Sequence, residues 1–60
     1  MRFTIIINTL TDTINETFGS DCNVELDKKS RYLHIERNDG TDLVSYVLAD
    51  SDRLEIRYHA

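Results

Sequence analysis

The amino-acid sequence predicts an α+β fold of two layers, in which one N-terminal amphipathic helix packs on a four-stranded antiparallel β-meander. The first observation behind this prediction is Asn38-Asp39-Gly40-Thr41, because Asp-Gly between two alternating apolar runs is a strong hairpin signal. The second is a helical apolar period over residues 2–18, which four runs with the two-residue period of strands follow. The predicted order of elements is therefore α-β-β-β-β.

The N-terminal segment is predicted as a helix over residues 2–18. Placing consecutive residues about 100° apart brings six apolar side chains into an arc of roughly 120°. These side chains are Phe3, Ile6, Ile7, Leu10, Ile14 and Phe18. Ile5 falls outside the arc. Gly19 stands where a left-handed helix cap with positive φ is expected.

The many Thr and Ile residues at the start of the chain leave an alternative open. β-branched side chains have a low helix propensity and suit a strand. In that alternative residues 2–7 form a strand, and a short helix follows with Thr13 and Glu16 as its capping box.

Four alternating runs are predicted as the strands of one sheet. They are Cys22 to Lys28, Arg31 to Arg37, Asp42 to Leu48 and Arg53 to His59. The predicted hairpin tips are Lys29-Ser30, a two-residue loop at Asp39-Gly40, and Asp50-Ser51-Asp52. This register places Arg37 opposite Asp42 and gives two apolar rows on the inner face, Leu26–Leu33–Tyr46–Ile56 and Val24–Ile35–Val44–Tyr58. The centre of the core is predicted as Leu33, Ile35, Val44, Tyr46 and Ile56.

Length and composition indicate one small domain spanning residues 1–60. The formal net charge is −4, which argues mildly against nucleic acid as a partner. The single cysteine cannot form an internal disulfide, and no zinc-ligand spacing accompanies it. No apolar run approaches the length of a membrane span, so no membrane partner is expected. A reducing, cytoplasmic location is the expectation that fits these features.

The sequence offers no catalytic, metal-binding or cofactor-binding motif, and we expect neither an enzyme nor a cofactor. The predicted outer row Glu25–His34–Ser45–Arg57 joins a carboxylate, an imidazole and a hydroxyl. An open sheet face, however, lacks the water-excluding pocket and oxyanion hole that such a group needs for catalysis. Cys22 is interpreted as a small buried residue, because no basic residue close to it in sequence would lower its pKa.

A non-enzymatic protein-interaction module is the predicted function. Its interface is predicted on the outer sheet face, where apolar side chains have a charged rim. The interface residues are Tyr32, Leu43, Val47, Glu55 and Arg57. The expected partner is a protein, and by analogy the chain would be an inhibitor or adaptor of the kind that phages and mobile elements encode against a host protein. Self-association into a homodimer through the same face is also expected, slightly in preference to a monomer.

The alternative function is binding of nucleic acid through the basic hairpin. Residues 28–38 carry four basic side chains and one acidic side chain, whereas both flanking segments are acidic. Lys28, Lys29 and Arg31 would contact phosphate in this alternative. A lysine-bearing hairpin is also an ordinary means of keeping a sheet edge soluble, so the protein-binding prediction is preferred.

Overall fold

The computed structural model describes all residues, Met1–Ala60, and shows six β-strands without any helix. The strands are β1 (Arg2–Asn8), β2 (Thr13–Phe18), β3 (Cys22–Asp27), β4 (Tyr32–Arg37), β5 (Asp42–Val47) and β6 (Arg53–His59). They form two antiparallel sheets of three strands, the first in the order β2-β1-β6 and the second in the order β3-β4-β5. The fold is all-β, and the α+β prediction is wrong.

The predicted helix over residues 2–18 is the β1–β2 hairpin. Phe3, Ile5 and Ile7 alternate along β1, and all three are buried on the face towards the second sheet. Ile5, the one apolar residue outside the predicted helical arc, is fully buried, while Leu10 from within that arc is 86% exposed. The β-branched side chains of this segment favour a strand, and here that preference outweighs the apparent helical period.

The alternative prediction for this segment, a strand followed by a short helix, is correct only for the strand. The structure confirms its strand at residues 2–7, whereas Thr13 and Glu16 lie in β2 and cap no helix. Gly19 also caps none, since Gly40 is the glycine with positive φ.

The turn between β1 and β2 is built without glycine or proline. The Oγ1 atom of Thr9 accepts hydrogen bonds from the backbone N–H of Asp12 at 2.9 Å and of Thr11 at 3.3 Å. The backbone N–H of Thr9 donates to the carbonyl oxygen of Asp12 at 2.8 Å. A threonine side chain therefore supplies the hydrogen bonding that reverses the chain, as short polar side chains commonly do in turns.

Three of the four predicted meander strands pair as expected. The confirmed pairs on the inner face are Val24 with Ile35, Leu26 with Leu33, Leu33 with Tyr46, and Ile35 with Val44. Period-two alternation fixes this register, because a shift of one residue would expose every one of these apolar side chains.

The hairpin at Asp39-Gly40 contains one more loop residue than predicted. Arg37 pairs with Thr41 through a 2.8 Å backbone hydrogen bond, and Gly40 has a φ of 90°. The loop is thus Asn38–Gly40, with a left-handed glycine at its third position, and it places Glu36 rather than Arg37 opposite Asp42. A β-bulge after Asp42 then restores the predicted register at Ile35.

The last strand leaves the meander and joins the other sheet. β6 pairs with β1, so Ile56 lies opposite Ile5 instead of Tyr46, and the predicted third hairpin does not form. The segment between β5 and β6 crosses from one sheet to the other. A two-stranded β1–β2 sheet would be marginally stable alone, and β6 supplies its third strand.

The core lies between the two sheets and is formed by six buried apolar side chains. They are Phe3, Ile5, Ile7, Leu33, Ile35 and Leu48. Leu33 and Ile35 were predicted for this position. Val44, Tyr46 and Ile56 pack against the cluster but remain half-buried. The second half of the core comes from β1, where the sequence predicted a helix.

The structure contains no helix of the length and apolar character needed to span a membrane.

Candidate functional site

An open groove runs between the edge strands β3 (Cys22–Asp27) and β6 (Arg53–His59); we call it the β3–β6 seam. Both cavities of the molecule lie along it. The larger, of about 410 Å³, is lined by Leu26, Lys28, Arg31, Leu48, Asp52 and Leu54. The smaller, of about 230 Å³, is lined by Met1, Phe3, Cys22, Asn23, Val24 and Tyr58. The seam is therefore an apolar groove with charged side chains at one end.

The two strands that border the seam run in opposite directions and do not pair with each other. Each is the edge of its own sheet, and it bonds to a neighbour on one side only. About half of the backbone N–H and C=O groups of such an edge strand point away from its partner and can accept another strand. Leu26 and Tyr58 are 38% and 61% exposed here, which leaves apolar surface beside those groups.

On the opposite side of the sandwich, a side-chain hydrogen bond joins β2 to β5. The hydroxyl of Tyr46 donates to a carboxylate oxygen of Glu16 at 3.2 Å, linking the two sheets. Burial, together with the hydrogen bond to the Glu16 carboxylate, raises the pKa of Tyr46 above its ordinary value. The two open sides of the sandwich are therefore not equivalent.

The predicted interface residues do not form one surface. Tyr32 and Val47 are exposed on the outer face of the second sheet and lie opposite each other, as the predicted pairing of Leu33 with Tyr46 requires. Leu43 is exposed at the β-bulge of the same sheet. Glu55 and Arg57 lie on β6 in the first sheet. There Arg57 Nε donates to Glu55 Oε2 at 2.6 Å, and this contact raises the pKa of Arg57. The move of β6 to the first sheet separates the two groups.

Two of the three basic residues that were predicted to contact phosphate are exposed to solvent. Lys28 and Lys29 are exposed, and neither forms a salt bridge. The carboxylate of Asp27 accepts the backbone N–H groups of Lys29 and Ser30 at 2.9 and 3.3 Å, which lowers the pKa of Asp27 and fixes the turn. Lys28 also lines the larger cavity of the seam.

Arg31 is used inside the molecule rather than presented to solvent. Its Nη2 atom donates to the carbonyl oxygens of Ala49 and Asp52 at 3.1 and 3.2 Å, and its own carbonyl accepts the N–H of Leu48 at 2.9 Å. Its Nε atom is buried without a hydrogen-bond partner. Arg31 therefore joins the β3–β4 hairpin to the segment that carries the chain from β5 to β6.

Arg31 also has a φ of 58°, a left-handed conformation that is costly for a residue with a Cβ atom. We expect Arg31→Gly to lose the side-chain contacts but release the strain, and Arg31→Ala to lose the contacts and keep it. Arg31→Ala should therefore be less stable than Arg31→Gly, by about 1 kcal/mol. Urea unfolding of both variants measures this difference, and equal stabilities would show that φ at this position carries no cost.

The outer face of the second sheet brings together a group that the sequence did not predict. Nε2 of His34 lies 2.9 Å from Oδ1 of Asp42, and one ligand atom from each of His34, Glu36 and Asp42 lies within 4.8 Å of the others. Glu25 and Ser45 stand opposite His34 as predicted, but Arg57 is absent from this row. The β-bulge after Asp42 brings these side chains together, and the alternating sequence pattern did not predict it.

Cys22 lies half-buried at the start of β3. Its pKa is raised by burial and by a 3.5 Å hydrogen bond from its thiol to Asp21. This environment disfavours the thiolate form that a nucleophile requires.

No protein-family model, no curated protein and no solved structure matches this chain.

Proposed function

We propose that the chain is a non-enzymatic protein-interaction module that binds an extended segment of a partner protein along the β3–β6 seam. One observation carries the proposal: both cavities lie beside two unpaired edge strands. A segment added to a sheet edge gains affinity from backbone hydrogen bonds and specificity from pockets for alternate side chains. As an inhibitor or adaptor, such a module acts by occupying the segment that it binds.

The spacing of the cavities defines the apolar positions of that segment. The smaller cavity lies beside Cys22 and Val24, and the larger lies beside Leu26 and Lys28. Four residues along the strand therefore separate the cavities, or about 13 Å at roughly 3.3 Å per residue. Residues i and i+4 of an added strand face the same side at this distance. The partner segment should carry large apolar side chains at these two positions.

The positive charge of Lys28 at one end of the seam predicts an acidic residue in the partner segment. Lys28 lines the larger cavity, is exposed and has no acidic partner. A carboxylate next to the apolar residue that enters this cavity would pair with it. The expected partner sequence is therefore extended and apolar at i and i+4, and it is acidic beside the Lys28 end.

A displayed library of random nine-residue peptides tests the proposal, with the dissociation constants of enriched peptides measured by fluorescence anisotropy. We expect enriched peptides to share the i, i+4 apolar pair. Leu26→Asp and Tyr58→Ser each change one cavity and should weaken binding at least about tenfold, a loss of roughly 1.4 kcal/mol. Lys28→Glu should remove the preference for an acidic residue.

Val47→Asp is the matched control, because Val47 is 77% exposed on the outer face away from the seam. It should leave peptide affinity unchanged. Loss of binding in Val47→Asp with retention in Leu26→Asp would place the interface on the outer face and contradict the seam. Failure of every library peptide to bind along the seam would contradict strand addition itself.

Nucleic-acid binding is the second candidate, favoured by the exposed and unpaired Lys28 and Lys29. Phosphate contacts give a steep decrease of affinity with salt. A salt titration with a pool of DNA and RNA, repeated with Lys28→Gln and Lys29→Gln together, distinguishes this candidate. A steep salt dependence that the double variant loses would support it, and absence of binding at low salt would remove it.

A further inference from the structure

We propose that His34, Glu36 and Asp42 form a binding site for a divalent transition-metal ion of the Zn²⁺ type on the outer face of the second sheet. One nitrogen and two carboxylate groups converge there, with their ligand atoms within 4.8 Å of one another. His34 and Glu36 are half-buried, and Asp42 is open to solvent. This site lies away from the β3–β6 seam and is independent of the function proposed for the seam.

The β-bulge is what assembles these ligands. His34 and Glu36 are two residues apart on β4, so both side chains lie on the outer face. In the register predicted from the sequence, Asp42 would stand opposite Arg37, on the inner face. The observed loop moves it opposite Glu36, and the bulge absorbs the difference. A shift of one residue reverses the face of a strand side chain, and here it brings Asp42 to His34.

The ligand set indicates which ion is preferred. Imidazole nitrogen together with carboxylate oxygen suits Zn²⁺ and related first-row ions, whereas Mg²⁺ and Ca²⁺ prefer oxygen ligands alone. Three protein ligands leave a fourth position of a tetrahedral ion open to water. The hydrogen bond between His34 Nε2 and Asp42 Oδ1 would be replaced by two bonds of about 2.0–2.2 Å to the ion.

The surroundings of the site hold the imidazole of His34 in place and attract a cation. The ring of Tyr32 contacts His34 edge-on, with their centroids 6.1 Å apart. Glu25 stands directly opposite His34 on β3 and adds negative charge close to the site. No lysine or arginine forms a salt bridge with Glu36 or Asp42, so both carboxylates are available to a cation.

Titration calorimetry of the protein with Zn²⁺ alone tests the proposal. We expect saturable binding of one ion per chain, with no comparable heat from Mg²⁺ or Ca²⁺. His34→Gln and Asp42→Asn should each weaken Zn²⁺ binding at least about tenfold, because even an outer-shell partner of a metal ligand commonly contributes that much. Circular dichroism of each variant verifies that the sheets remain folded.

His59→Gln and Glu55→Gln are the matched controls, since they remove an imidazole and a carboxylate from the first sheet. Both should bind Zn²⁺ like the unchanged protein. Amide chemical shifts should respond to Zn²⁺ around His34 and Asp42, a readout that does not depend on variants. Equal loss in His59→Gln, unsaturable binding, or shifts spread over all acidic residues would show adventitious coordination and overturn the proposal.

Discussion

Replacing Leu33 with alanine is expected to lower the free energy of unfolding by about 2–5 kcal/mol. Leu33 is fully buried on the central strand β4, and it pairs with Leu26 and Tyr46 on either side. Its truncation would leave a cavity between the two sheets. A domain of this length has a total stability of only about 3–9 kcal/mol, so this loss removes a large share of the free energy of unfolding.

Urea unfolding followed by circular dichroism measures this loss. Val47→Thr is the control, because it keeps the β-branch at an exposed position of the same sheet, and it should change the free energy of unfolding by less than about 0.5 kcal/mol. A Leu33→Ala variant as stable as this control would contradict the placement of the core.

The second large effect is expected from Ile5→Asp, compared with Leu10→Asp. Ile5 is fully buried between the sheets, so an aspartate there would have to be buried without a partner, at a cost of more than about 3 kcal/mol. Leu10 is 86% exposed in the β1–β2 turn, and aspartate should be tolerated at that position. We expect Ile5→Asp to be unfolded and Leu10→Asp to retain nearly its full stability.

This pair separates the observed sheet from the predicted helix. In the helix, Ile5 would face solvent and Leu10 would contact the sheet, so the two effects would be exchanged. An unfolded Leu10→Asp variant beside a stable Ile5→Asp variant would therefore contradict the β1–β2 hairpin. Thermal melting curves of the two variants measure which of them is folded.

The N-terminal segment shows why the helix was predicted. Phe3, Ile7, Ile14 and Phe18 satisfy both periods, because a spacing of four residues returns to one face of a helix and also of a strand. Only residues such as Ile5 and Leu10 distinguish the two periods. The turn at Thr9–Asp12 has neither glycine nor proline, so its hydrogen bonding by Thr9 Oγ1 gave no signal of a chain reversal.

The meander over β3–β5 could be predicted because its information is local. Alternation along each run determines the pairing of neighbours in sequence on the apolar face, whereas the loop at Asp39-Gly40 is one residue longer than predicted and a β-bulge compensates for it. The pairing of β6 with β1 is not local, since it joins Ile56 to Ile5 across most of the chain. It depends on the need of the β1–β2 hairpin for a third strand, and a helix at that position has no such need.

The difference between local and non-local strand pairing also decides how much of the candidate site could be predicted. Tyr32 and Val47 were correctly placed opposite each other, because their pairing lies within the meander. Glu55 and Arg57 were placed beside them only because β6 was expected to follow β5. The β3–β6 seam exists because β6 joins the first sheet, and the His34–Asp42 contact exists because of the bulge. Neither feature could be deduced from alternation alone.

The pairing of β6 is the central claim, because the seam and both of its cavities follow from it. Nuclear Overhauser contacts between backbone protons of opposing strands measure this pairing in solution. We expect cross-strand contacts between Ile56 and Ile5 and between Tyr58 and Phe3, with none between the backbones of Ile56 and Tyr46. Contacts between the backbones of Ile56 and Tyr46, without those to Ile5, would restore the four-stranded meander and contradict the two-sheet fold.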